Sequence, residues 1–157
     1  MRILLLLLIF IVPAYSAALP GGSSPVEIDS QSAQFNQNKN SATFIGDVVF
    51  KRDRLTVKSD RLVIYRNKKG ELIKAVATGS VRIKNSDKKN RFNATSDMAV
   101  YNRKEQTLVL TGKLVTFGNG IDKGECEKLI YHIDTGNSEI FSGNSPVKLT
   151  VTPKESK

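Results

Sequence analysis

Apolar residues recur at every second position through much of the chain: Leu55 and Val57, Leu62 and Ile64, Val81 and Ile83, Leu108 and Leu110. That period belongs to a strand with one buried face. Turn-forming residues interrupt the runs at short spacing, at Asn36 to Asn40, Asn67 to Gly70, Asn85 to Asn90, Asn102 to Gln106, Gly118 to Gly120 and Asp134 to Asn137. The pattern predicts an all-β chain of many short antiparallel strands. No amphipathic helix stands out, and Leu72 to Val76 reads as a strand or as a single helical turn.

A second period lies over the first. Glycines at 46, 79, 112 and 143 each close a similar segment, such as Thr43-Phe44-Ile45-Gly46-Asp47-Val48 and Val76-Ala77-Thr78-Gly79-Ser80-Val81, and they are 33, 33 and 31 residues apart. An aromatic residue precedes each glycine by 11 to 14 positions: Phe35, Tyr65, Tyr101 and Tyr131. Such repetition predicts stacked hairpin units that share one core. A glycine inside a strand marks a bend, a bulge or a close approach. Counting by twos puts each glycine on the same face as its −2 and +2 neighbours, so the four are expected on an inner face that curves round a shared interior. That interior reads equally as a core or as a ligand channel.

The ends qualify this picture. Met1-Arg2, the apolar run Ile3 to Val12, Pro13 and the small residues 14–18 have the order of a secretory leader, cleaved between Ser16 and Ala18. The run is half the ~20 residues a spanning helix needs. The expected organisation is a leader over 1–18, a flexible segment over 19–24, one domain over 25–153 and a tail over 154–157. A single cysteine, Cys126, forms no internal disulfide and reads as a small apolar strand residue.

Charge adds one more feature. The formal net charge is +9, and residues 51–91 hold fourteen Lys/Arg against four Asp/Glu. A basic block points to an anionic partner or to a solvated edge that deters aggregation. Nucleic acid is disfavoured by the export leader and by the lack of interleaved aromatic residues. Arg52, Arg54, Lys68, Lys69, Lys88, Lys89 and Arg91 are expected to ring one edge, where they would attract phosphate groups.

The segments Pro25-Val26-Glu27-Ile28-Asp29-Ser30, Ala42-Thr43-Phe44-Ile45-Gly46-Asp47-Val48, Thr56-Val57-Lys58-Ser59-Asp60-Arg61-Leu62, Thr95-Ser96-Asp97-Met98-Ala99-Val100-Tyr101 and Leu108-Val109-Leu110-Thr111-Gly112 together resemble the LptA or OstA-like family of lipopolysaccharide-transport proteins. The resemblance implies a β-jellyroll of two V-shaped antiparallel sheets whose apolar interior is open at both ends. It implies a periplasmic carrier without catalysis, cofactor or metal. The partners it implies are lipopolysaccharide (through lipid A), further copies stacked head to tail, an inner-membrane adaptor and an outer-membrane translocon. The lining positions it implies are Val26, Ile28, Phe44, Val48, Phe50, Val81, Ile83, Ala99, Tyr101, Leu110 and Leu114, and internal repetition adds Phe35, Tyr65, Tyr131 and Phe141. Two alternatives stay open: the membrane-anchored adaptor of the same machine, and a structural β-repeat with a dry core.

Other signals carry less. Asp134-Thr135-Gly136 matches the aspartic-protease triplet but sits where a hairpin turn is expected. His132, with Cys126 and Glu127 nearby, offers too few ligands for a structural zinc.

Overall fold

The computed structural model describes residues 24–88 and 91–153, so the expected leader, the tail 154–157 and Lys89 lie outside it. Ten strands build one antiparallel sheet. They are β1 (Glu27–Asp29), β2 (Ser32–Asn36), β3 (Ser41–Arg52), β4 (Leu55–Arg66), β5 (Leu72–Asn85), β6 (Phe92–Asn102), β7 (Thr107–Gly118), β8 (Lys123–His132), β9 (Ser138–Phe141) and β10 (Lys148–Thr150). Strands β3 to β8 lie side by side in sequence order, each joined to the next by a short connection. The described residues of the six turn segments expected from Gly, Asn and Asp fall at strand ends or between strands, and Leu72 to Val76 is strand.

A line of irregularities crosses this sheet. Pairing shifts between Ile45 and Val48 in β3, Lys58 and Arg61 in β4, Thr78 and Val81 in β5, Thr95 and Met98 in β6, and Thr111 and Val115 in β7. Each long strand is therefore two segments. On one side of the line, β2 pairs with the first segment of β3 and β9 with the second segment of β8. On the other side, β1 pairs with the second segment of β3 and β10 with the first segment of β8. The sheet thus has two leaves, named here by their edges: the β2–β9 leaf and the β1–β10 leaf.

Backbone geometry explains the line. Gly46 (φ 84°) with Asp47 (φ 46°), and Gly79 (φ 81°) with Ser80 (φ 47°), adopt left-handed conformations. Glycine enters that region without the steric cost a Cβ brings. The residue inserted at each bulge bends the strand and increases its twist.

The glycines do not face the interior, which corrects the expectation from counting by twos. At Gly46, Gly79, Gly112 and Gly143 the place of a Cβ is taken by the side chains of Gln31, Asp60, Asp97 and Glu127 respectively. Gln31, Asp60 and Asp97 are exposed, so these glycines lie under an outward-facing polar cover. The extra residue in each bulge breaks the period of two. The flanking apolar residues can then point inward while the glycine does not. The covering side chains also bond to the bulged segments. Asp97 Oδ2 accepts from the Lys113 N–H at 2.9 Å, Glu127 Oε1 from the Asn144 N–H at 3.2 Å, and Gln31 Nε2 donates to Asp47 Oδ2 at 2.7 Å. At Lys113 and Asn144 this supplies partners for N–H groups beside the glycines.

The core draws on both leaves. Leu62, Ile64, Ala77, Leu110 and Leu129 come from the β2–β9 leaf, and Val48, Phe50, Val81, Ile83 and Val115 from the β1–β10 leaf. Phe92, in the β1–β10 leaf, stacks on Tyr131 of the β2–β9 leaf with centroids 5.9 Å apart and planes at 19°. The inner faces of the two leaves therefore meet at that end.

Candidate functional site

Nearer β3 to β5 the leaves stand apart, and a cavity of about 590 Å³ opens between them. Phe50, Leu55, Val57 and Ile83 line it from the β1–β10 leaf, and Leu62, Ile64, Leu72, Ala75, Ala77, Ala99, Tyr101 and Leu108 from the β2–β9 leaf. The size is that of a ligand site, and apolar walls with a few polar groups at the rim suit an amphiphile.

The rim is polar. Arg52, Asp53 and Arg54 of the β3–β4 turn line the cavity together with Asn85 and Asp87. Arg52 follows Phe50 by two on β3, so alternation turns it to the inner face, and it is only 7% exposed. Its Nε lies 3.9 Å from Asp53 Oδ2. The opposite wall carries Tyr101, whose hydroxyl is buried with no hydrogen-bond partner among the described residues. Burial pushes the Tyr101 phenol above its ordinary pKa, and the charges of Arg103 and Arg52 and the nearby Gln106 side chain pull it back in part. The phenol therefore stays neutral and can donate a hydrogen bond. A buried guanidinium and an unpartnered hydroxyl thus border an apolar cavity.

Of the expected lining residues, Phe50, Ile83, Ala99 and Tyr101 line the cavity, whereas Val26, Ile28, Phe44, Val48, Val81, Leu110 and Tyr131 lie in the core or on the inner face without lining it. Val48, Phe50, Val81, Ile83, Ala99 and Leu110 are buried in the core, while Val26, Ile28, Phe44 and Tyr101 pack against it. Tyr131 shares the inner face with Leu129 and stacks on Phe92. The other four depart further. Leu114 is 54% exposed and Val115 takes the inward place, because β7 holds more inserted residues at its bulge than β3 or β5. Tyr65 adjoins the buried Ile64 and so turns to the outer face. Phe141 is 45% exposed, with its neighbour Ile140 packed inward and Lys128 over its ring. Phe35 does share a face with Ala42 and Ile64, but it sits on edge strand β2 and is 64% exposed, touching Phe44 edge-on. Leu62, Ile64 and Leu72 were missed as lining, although the alternation of the first two marked a buried face.

The six described residues of the basic set lie at the tips of both leaves. Successive hairpin turns fall at alternate ends of the strands. Arg52 and Arg54 lie in or beside the β3–β4 turn and Lys88 and Arg91 in the β5–β6 connection, at the tips of the β1–β10 leaf. Lys68 and Lys69 lie in the β4–β5 turn, at the far end of β4.

The remaining sequence signals are local. Asp134-Thr135-Gly136 forms the β8–β9 turn, where Asp134 Oδ1 accepts from the Thr135 N–H at 2.9 Å. His132 Nε2 meets Glu139 Oε1 at 2.7 Å across that hairpin. Cys126 is 3% exposed in the core, and burial pushes its thiol pKa up. Among the described residues no group of three His, Cys, Asp or Glu could hold a metal ion.

Comparison with known proteins adds three findings. Residues 27–137 match the family model described as LptA/(LptD N-terminal domain) LPS transport protein. An uncharacterized protein of Rhizobium meliloti (strain 1021) is 23% identical over 140 residues, which is 85% of this chain and 74% of that one. The crystal structure of LptH, described as the LptA-homologous periplasmic component of the lipopolysaccharide transport device of Pseudomonas aeruginosa, superposes with a TM-score of 0.72. That match is 16% identical and covers 90% of this chain and all of the other, so it speaks for the fold.

Proposed function

The chain belongs to the LptA/LptD N-terminal family of lipopolysaccharide transport proteins, and from that premise we propose that it is a periplasmic carrier which holds the acyl chains of lipopolysaccharide in the cavity between its leaves. The cavity of about 590 Å³, walled by apolar residues of both leaves, is the observation that carries this reading. Each methylene exposed to water costs ~0.8 kcal/mol, so an acyl chain crosses an aqueous compartment only under cover. The walls provide that cover without bond making, and the reading is of a transport protein rather than an enzyme. The anionic head would lie at the rim, beside Arg52, Arg54 and the Tyr101 hydroxyl.

The bridge itself would be built from edges. Strands β1 and β2 border one end of the two leaves and β9 and β10 the other. Unpaired edges accept further strands. Copies stacked end to end would extend one jellyroll interior into the next, from an inner-membrane adaptor to an outer-membrane translocon.

Photocrosslinking tests the reading. A photoreactive residue in place of Ile28 or Tyr101 should capture lipopolysaccharide in cells, and one in place of the outward Arg61 should not. Capture from Arg61 alone would refute it.

A further inference from the structure

The outer face of the β1–β10 leaf has a composition that folding does not call for. On β4 and β5, Val57, Ser59, Val81 and Ile83 point inward, which turns Lys58, Arg82 and Lys84 to solvent. Lys58 pairs directly with Arg82 in the ladder. Like charges facing each other across strands are destabilising. The next two strands bring no acid to that row, because Arg82 faces Thr95 and Thr95 faces Thr116, and Glu125 of β8 beyond them pairs with Lys148. No ion pair reaches Lys58, Arg82 or Lys84 among the described residues, whereas the flanking Lys51 and Lys148 lie at 4.0 Å and 3.9 Å from Asp29 and Glu125. Beside the unpaired cations is a surface depression of about 770 Å³, where Arg82, Lys84, Lys123 and Lys148 outnumber the acidic Asp122 and Glu125 and Asn93, Thr95 and Thr116 add polar groups.

We infer that this outer face is a second binding surface, separate from the cavity, and that it docks onto the anionic headgroups of a phospholipid bilayer. Charge sets the sign of the partner, and composition selects its class. Protein interfaces favour aromatic side chains and are poor in lysine, and this face shows lysine with no exposed aromatic residue beside it. Single-stranded nucleic acid would want stacking rings, which are likewise missing. Long flexible cations suit a surface of diffuse negative charge, where each contributes about 1 kcal/mol. The hydroxyl and amide groups of Thr95, Thr116 and Asn93 can hydrogen-bond to a headgroup in the depression. A protein of the periplasm has a bilayer on either side.

The test uses protein purified from the periplasm and sedimentation with vesicles of phosphatidylcholine, with or without phosphatidylglycerol at about a third of the lipid. Binding should require phosphatidylglycerol and fade with added salt. The triple variant Lys58→Gln, Arg82→Gln, Lys84→Gln should bind about a hundredfold more weakly. It should still co-purify with lipopolysaccharide, which keeps this inference distinct from the proposal for the cavity. A matched triple variant of the other leaf's outer face, Arg61→Gln, Lys74→Gln, Lys128→Gln, should bind vesicles as the parent does. Circular dichroism would verify that both variants fold. Equal loss in the two variants would reduce the effect to net charge and overturn the inference. So would a parent protein that ignores anionic vesicles at low salt, which would leave an acidic protein as the partner.

Discussion

The two leaves are alike inside and different outside. Their inner faces are apolar and share one core. Across the outer face of the β2–β9 leaf runs a row of half-buried aliphatic residues in register, Val63, Val76, Val100, Val109 and Ile130. The matching row of the β1–β10 leaf reads Lys58, Arg82, Thr95, Thr116, Glu125 and Lys148. Both rows sit on similar backbone, so strand geometry alone does not dictate the difference. Inner faces must fit each other, whereas an outer face is free to be shaped by what it meets in solution.

The shared interior gives the largest expected effect. Leu110 is fully buried and Leu114, four residues on in the same strand, is 54% exposed. Leu110→Ala should lower stability by roughly 2–5 kcal/mol, and Leu114→Ala by less than about 0.5 kcal/mol. Urea unfolding of both variants measures the gap. Similar losses at the two positions would mean that β7 keeps a simple period of two and that its bulge is misplaced.

That pair of leucines also shows what could be read in the amino-acid order. Alternation and turn residues located the long strands, because each reports a local backbone property. The glycine period located the fold line, because only a bend repeated at that spacing calls for it. The facing of residues beyond the bend was not legible. A difference of one inserted residue reverses every later side chain, and β7 inserts one more than β3. Tyr65 and Phe141 were misassigned for a related reason: repetition aligned them with Tyr101 and Tyr131, while their own neighbours Ile64 and Ile140 hold the inner face. The basic block is contiguous in sequence, but hairpin turns divide it between the tips of the two leaves. The polar cover on each glycine did leave a trace, in Ser30-Gln31, Ser59-Asp60, Ser96-Asp97 and Cys126-Glu127, which recur about as the glycines do.

The cover gives the next prediction, since it holds the boundary between the leaves. A methyl group at Gly79 would meet the Asp60 carboxylate, on a backbone already at φ 81°. Gly79→Ala should cost about 1–3 kcal/mol. Adding Asp60→Ala removes the carboxylate but leaves its Cβ, 2.7 Å from the new methyl, and the backbone strain, so the double variant should recover only part of the loss. A double-mutant cycle reads this as a coupling energy. Strictly additive losses would place the two residues out of contact.

Within the cavity the leaves contribute unequally, for the rim guanidinium comes only from the β1–β10 leaf. Arg52→Gln should weaken capture of a lipid bearing phosphate by roughly tenfold, within the range of a lost charge-assisted hydrogen bond. Capture of a neutral lipid of the same chain length should be unchanged. Arg52→Met should change stability by less than about 1 kcal/mol, since methionine fills similar space and the Asp53 left behind is exposed to water. Fluorescent-lipid titration and thermal unfolding separate the two effects, and equal weakening toward both lipids would make Arg52 a packing residue.

The smallest effect bears on the outer faces themselves. Lys58→Val gives the β1–β10 row a residue of the kind the other leaf carries and removes one member of a like-charged pair. Valine suits a pleated, half-exposed position, and the repulsion it relieves is worth about 0.2–1 kcal/mol. The urea midpoint should therefore rise slightly with an unchanged slope, as expected when stability alone has changed. Val76→Lys on the opposite leaf should lower it by a similar amount. If Lys58→Val were instead destabilising, the cations would belong to the fold and the contrast between the faces would need no outside partner. A rise in stability would mean that the chain carries these charges against its own folding, and such a cost is retained where the exposed face has something to bind.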